Sequence, residues 1–143
     1  MAEGLARVRS ALRCLSTDPA SFGLIHADLN PGNFLFGDGR IAVIDFDDCS
    51  FGWYLYDLAI PLLAMRKLTP DLAVEAQLCE AFLSGYERVR RLSAAETALL
   101  PAFMTYRQLV LLYFYTTSTN KRVQGWAPGP IAASLHRLEA KLL

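Results

Sequence analysis

Long apolar runs are missing from this sequence. Spanning a bilayer takes about 20 predominantly apolar residues, and the longest hydrophobic stretches here are shorter or more polar, so no membrane role is expected. A basic footprint is missing as well. Fourteen Lys and Arg balance 14 Asp and Glu, and the densest positive segment is the short Arg88-Val89-Arg90-Arg91 cluster. That cluster reads as a solvated helix face, and nucleic acid is not an expected partner. Cysteine is scarce: Cys14, Cys49 and Cys79 are odd in number and lack metal-ligand spacing. This argues against a disulfide framework and suits reduced thiols. Cys49, beside an acidic loop, reads either as a reactive thiol or, more simply, as a small hydrophobe. The N-terminus lacks a signal-peptide core because Arg7, Arg9 and Arg13 interrupt it. The expected localisation is cytoplasmic.

What is present centres on residues 24–48. The apolar pair Leu24-Ile25 delivers His26-Ala27-Asp28-Leu29-Asn30-Pro31-Gly32-Asn33, and a second run, Ile41-Ala42-Val43-Ile44, delivers Asp45-Phe46-Asp47-Asp48. Between them, Gly37-Asp38-Gly39-Arg40 is a turn signal able to close a β-hairpin, which would bring Asn33 and Asp45 side by side. Magnesium (Mg2+) takes hard oxygen ligands in near-octahedral geometry. One amide oxygen from Asn33 and one carboxylate from Asp45, completed by water and phosphate oxygens, would satisfy it. Asp28 would remain to receive or orient the proton of an attacking hydroxyl. The Asp28 to Asn33 spacing, with His26 two residues ahead of the aspartate, is that of a kinase catalytic loop. Asp47 reads either as an additional ligand for the same ion or as a carboxylate beside it. Asp48 reads as solvated or as a helix cap.

Three blocks together carry a family resemblance: Ile25 through Asn33, then Val43-Ile44-Asp45-Phe46-Asp47-Asp48, then Leu55-Tyr56-Asp57-Leu58-Ala59. In combination they resemble the aminoglycoside phosphotransferase and choline kinase family of small-molecule kinases. The helical stretch from Phe82-Leu83-Ser84-Gly85-Tyr86 to Arg107 also resembles that family's C-terminal helices. The resemblance implies ATP and Mg2+ as cofactors, Asp28 as the catalytic aspartate, and Asn33 with Asp45 as magnesium ligands. It further implies that His26 and Asp57 are scaffold residues, Asp57 holding the catalytic-loop backbone from a following helix. Asn30 falls where many family members have histidine, a loop position to which no chemistry is assigned.

The fold class expected is α+β, mostly helical: a protein-kinase-like C-terminal lobe, with a short β-hairpin carrying the catalytic and metal loops, forming a single domain over residues 1–143. A chain of this length buries roughly 70% of its unfolded surface. Leu5, Val8, Leu12 and Leu15 at helical spacing predict an amphipathic helix over residues 3–16. Asp57 could cap a helix whose boundary Pro61 obscures. Thr69-Pro70-Asp71 predicts a helix start capped by Thr69 and running to about residue 91. Ser93-Ala94-Ala95-Glu96 is a capping box. The body that follows, residues 99–115 with Pro101 in its first two turns, is apolar on nearly every face and predicts a buried central helix. Residues 116–120 and 125–130 read as loop, and Ile131, Leu135, Leu138 and Leu142 mark a last helix. The layout is a small β-region on about five helices. Trp53, Tyr54, Tyr56, Tyr106, Tyr113, Tyr115 and Trp126 read mostly as packing residues, some of which could line a pocket for a cationic or sugar-like substrate. His136 reads as a surface residue.

Half of a two-lobed kinase is not legible in the sequence. Kinases cover the ATP phosphates with a glycine-rich flap and reach them with a strand lysine. The only lysines, Lys67, Lys121 and Lys141, all follow the catalytic loop, and no glycine-rich strand-turn-strand precedes His26. The chain is therefore expected to be the catalytic lobe of a kinase for a small-molecule hydroxyl substrate, weak in ATP binding and inactive without an N-terminal lobe supplied in a longer chain or in trans. An uncovered inter-lobe surface would also favour a homo-oligomer. One alternative is a non-catalytic binding module derived from this lobe. Another is a haloacid-dehalogenase-type phosphatase, because an apolar strand ending in Asp45-Phe46-Asp47 resembles that nucleophile motif. Against the latter, Cys49 stands where threonine or valine is wanted.

Overall fold

A computed structural model describes residues 2–13 and 15–139. Cys14, Lys141 and Leu142 lie outside the described residues, as does the side chain of Leu5. The described elements are six α-helices and four short strands. They fall into two compact units, Ser16–Leu100 and Met1–Leu15 with Pro101–Leu143.

In the first of these units, β1 (Phe22–Ile25) pairs antiparallel with β4 (Ser50–Trp53), and β2 (Phe34–Gly37) with β3 (Arg40–Val43). The β2–β3 connection is the expected one. Gly37 faces Arg40, and the two residues between them, Asp38 and Gly39, have φ of 51° and 69°. Two left-handed residues make the tight turn whose twist matches that of the strands. The β1–β4 pairing is not legible in the sequence, because Ser50-Phe51-Gly52-Trp53 is only four residues long and holds a glycine, too little to mark a strand or its partner. Within it the Ile25 side chain lies over Gly52, in the space that a Cβ there would occupy. Among the described residues the strands form only two antiparallel pairs, not the alternating strand-helix units of a dehalogenase fold.

Helix α2 (Tyr54–Leu68) follows β4 directly and is the buried helix of this unit. Leu55, Tyr56, Leu58 and the run from Ala59 to Leu63 are all buried. Pro61 lies inside the helix, where its missing N–H would otherwise have met the Asp57 carbonyl four residues earlier. An interior proline costs about 3 kcal/mol, whereas burying one leucine contributes about 1.5–3 kcal/mol, so this apolar run can hold the helix together through it. Helix α3 spans Leu72–Glu87. Its cap is Asp71, which accepts from Ala73 and Val74 N–H, and Thr69 accepts instead from Asp71 N–H at 3.1 Å. The helix ends four residues short of the expected limit. Ser93 and Glu96 exchange backbone N–H bonds at 2.9 and 3.2 Å, the capping box that opens α4 (Ala94–Thr117).

In the other unit, α1 (Ala2–Arg13) buries Val8, while Phe103, Met104 and Leu112 of α4 are also buried. Buried Gln108 donates to buried Ser134 at 2.9 Å. The expectation of a helix buried all round fails for α4, because Tyr113, Phe114 and Tyr106 are exposed. Residues 125–130 are not loop: Gly125 lies in α5 (Lys121–Trp126), and Pro128 opens α6 (Pro128–Glu139). Proline in a first turn lacks only an N–H that has no helical partner there. His136 is exposed, and no described helix is long and apolar enough to cross a membrane.

Candidate active site

Strand β1 ends at Ile25, and the chain enters the loop through His26 and Ala27. Ala27 has φ of 63°, a left-handed conformation that costs a non-glycine residue about 1–2 kcal/mol. Such a residue persists only where its surroundings over-determine it. Here they do. The Asp57 carboxylate, in the first turn of α2, accepts the His26 N–H at Oδ2 (2.7 Å) and the Ala27 N–H at Oδ1 (2.8 Å). Asp57 thus caps the backbone at the start of the His26–Asn33 loop rather than its own helix.

His26 ties the two loops together. Its buried ring donates from Nε2 to the Ile44 carbonyl at 2.9 Å and accepts the Asp28 N–H at Nδ1 (3.3 Å). A carbonyl on one nitrogen and an N–H on the other select the Nε2–H tautomer. The ring also lies 4.6 Å from the Phe46 ring, between centroids. Ile44 is engaged on both sides, since its N–H donates to the Asn33 carbonyl at 3.0 Å. Asp45, the next residue, is exposed and left-handed at φ 66°. The hairpin therefore returns the chain so that Asp45 follows the residue bonded to Asn33.

Within the first loop, Asn30 caps a single 3-10 turn, Pro31–Asn33, by accepting the Gly32 N–H. Buried Asn33 donates from Nδ2 to the Asp28 carbonyl at 2.9 Å and to Asp28 Oδ2 at 3.3 Å. Two acceptors facing that nitrogen fix the amide's orientation, since the flipped amide would oppose oxygen to oxygen. Oδ1 of Asn33 is consequently the atom turned away from Asp28. An amide oxygen with the Asp45 carboxylate is a donor set suited to a hard divalent cation. Asp47, Asp48 and Cys49 are exposed, and among the described residues no three His, Cys, Asp or Glu side chains converge as a metal-binding group. A cation on Asn33 and Asp45 would need the rest of its shell from elsewhere, as phosphate or water.

Behind the loop, a cavity of about 490 Å³ is lined by Leu29, Tyr54, Asp57, Phe82 and Tyr86, among others. Of the aromatic residues, Trp53 donates to the Ser16 carbonyl and packs edge-on against Phe22. Farther along the unit, Arg90 bonds the Ala20 carbonyl, pairs with Glu96, and lies over the Tyr54 ring at 5.8 Å. Burial opposes ionisation of Glu96, but bonds from Ser93 and Arg90 outweigh it and hold its carboxyl below the ordinary glutamate range. Burial, with nearby Glu75, pushes the Cys79 thiol up, so this cysteine is not an activated one.

Residues 3–92 match the phosphotransferase enzyme family, to which the chain therefore belongs. The fold is that of a kinase C-terminal lobe, mostly helical with small hairpins. Among curated relatives, the amicoumacin kinase of Bacillus subtilis (strain 168) is 30% identical over 105 residues, covering 70% of this chain and 31% of its own. The homoserine kinase of Beijerinckia indica subsp. indica is 46% identical over 80 residues, covering 55% of this chain and 25% of its own. Among solved structures, an amicoumacin kinase in complex with AMP-PNP, Ca2+ and Ami superposes with a TM-score of 0.77 at 26% identity, over 97% of this chain and 43% of that one. A microcompartment-associated aminopropanol kinase gives 0.65 at 33% identity, over 97% and 46%. The chain thus spans about a quarter to a third of the curated relatives' length.

Proposed function

We propose that residues 1–143 act as one domain, the catalytic-loop lobe of a small-molecule kinase. The reaction moves the ATP γ-phosphoryl group to a hydroxyl of a small metabolite or antibiotic. Asp28 orients the acceptor hydroxyl and takes its proton as the new P–O bond forms and ADP leaves. Asn33 through Oδ1, together with Asp45, holds Mg2+, and Asp47 lies close enough in sequence to assist. Bound magnesium neutralises charge on the transferring phosphates. His26 and Asp57 keep the two loops in register. The observation that carries this reading is the bonded chain from Asp57 through His26 to Ile44 and Asn33, which joins both motif loops into one framework.

Alone, the lobe binds ATP weakly and turns over little, because the flap and lysine that grip the phosphates are not among these residues. The strand pairs and the loop after β3 carry exposed apolar side chains that a covering lobe could bury: Phe36 and Phe51 are 75% exposed, and Leu24, Leu35, Ile41 and Phe46 are exposed too. The test is phosphoryl transfer from γ-labelled ATP with the nucleotide lobe of a related kinase fused or added in trans. The reading requires turnover with at least one hydroxyl acceptor, lost by at least about a hundredfold in Asp28→Asn with ATP affinity retained. A complemented, folded chain that binds ATP but transfers to nothing would favour a binding module without catalysis.

A further inference from the structure

The sequence pattern assigns Asn30 no chemistry, yet both ends of its amide are engaged in the loop. Nδ2 donates to Asp28 Oδ2 at 2.9 Å and reaches the Asp28 carbonyl at 3.3 Å, while Oδ1 accepts the Gly32 N–H at 2.9 Å. Asn33 donates to the same Asp28 Oδ2 from the other end of the turn, at 3.3 Å. An aspartate carboxylate rotates about two bonds, and the donors that meet at Oδ2 oppose that rotation. The shorter bond is the one from Asn30, and its donor is itself anchored by the cap on Gly32. Asn33 adds the longer bond to that oxygen and shares the same nitrogen with the Asp28 carbonyl.

We infer that Asn30 is a positioning residue, holding the Asp28 carboxylate in one orientation so that its lone pairs meet the acceptor hydroxyl at a fixed angle. The inference rests on the phosphoryl-transfer reading for its purpose, but not for its geometry. The polarity of the amide supplies the test. Asn30→Asp keeps an oxygen to cap Gly32 and replaces the donor by an oxygen facing Asp28 Oδ2. Asn30→Ala removes the cap and the donor together.

In the 143-residue chain, three-bond NMR couplings at Asp28 should report one side-chain rotamer in the wild type and averaging in Asn30→Asp, with backbone shifts of residues 31–33 preserved. In the chain complemented with a nucleotide lobe, Asn30→Asp should lower kcat by about tenfold to a hundredfold and leave the KM for ATP unchanged. A single Asp28 rotamer persisting in Asn30→Asp, or an unchanged kcat, would overturn the inference. An inactive wild-type fusion would count against the phosphoryl-transfer reading, and the couplings would still decide whether Asn30 orients Asp28.

Discussion

The Asp57 carboxylate accepts the backbone N–H of His26 at 2.7 Å across 31 positions of sequence. With the Ala27 bond at 2.8 Å it makes one side chain the support for the entrance of the His26–Asn33 loop. Hydrogen bonds to a charged group contribute about 1.5–3 kcal/mol each. Asp57→Ala should therefore lower stability by about 2–4 kcal/mol in urea denaturation, and Asp57→Asn, which keeps one acceptor, by clearly less. Equal stability for all three proteins would mean that the loop is held by something else.

Ala27 occupies a conformation that glycine adopts freely. Ala27→Gly should raise stability by about 0.5–1 kcal/mol, the relieved strain exceeding the added chain entropy. Ala27→Val should lower it by more than that, since a β-branched side chain is disfavoured there. Chemical denaturation of the two variants gives the sign directly.

Glu96 carries an acid-sensitive part of the fold. A carboxyl held below its unfolded value adds stability above the unfolded value, and this is lost as pH falls through the folded one. The bonds from Ser93 and Arg90 should therefore weaken as pH drops below the ordinary glutamate range. The stability gap between wild type and Glu96→Gln should be largest at neutral pH and close toward strong acid. A gap independent of pH would contradict this.

The exposed apolar side chains of the strand pairs predict self-association of the isolated chain, since uncovered apolar surface generally finds partners. Sedimentation should show concentration-dependent dimer or larger species, reduced in Phe36→Ser combined with Phe51→Ser. These positions are already exposed, so neither change should unfold the chain. A strictly monomeric wild type at high concentration would contradict it.

Structure encoded within a few residues is legible in this sequence, and structure that depends on distant partners is not. Asp38-Gly39 and the Ser93 to Glu96 box are encoded within four residues, and both stand in the structure. The β1–β4 pair joins Phe22 to Trp53, a contact that nothing in either short segment specifies alone. Exchanging α2 for α4 as the buried helix has a similar origin. Hydrophobicity ranks Tyr113 and Phe114 as core, but burial depends on what packs against them, whereas Pro61 in α2 disguised a helix held by its surroundings. Gly125 and Pro128 read as breakers because their composition was weighed without their positions at helix ends. At the site, the motif residues stand out by their spacing alone. The bonds of Asn30 do not, since they depend on which way an amide points.

Asn33 and Asp45 are proposed as the phosphate-facing metal site of a lobe that cannot grip ATP by itself. The direct measurement is a titration of the isolated chain with Mg2+-ATP, followed by calorimetry and by amide chemical shifts. Without flap and lysine, entropic and desolvation costs should leave affinity near the millimolar range. Shifts should concentrate at residues 26–33 and 44–47 and disappear in Asn33→Ala and Asp45→Ala. Micromolar affinity, or shifts elsewhere that survive both substitutions, would contradict the claim.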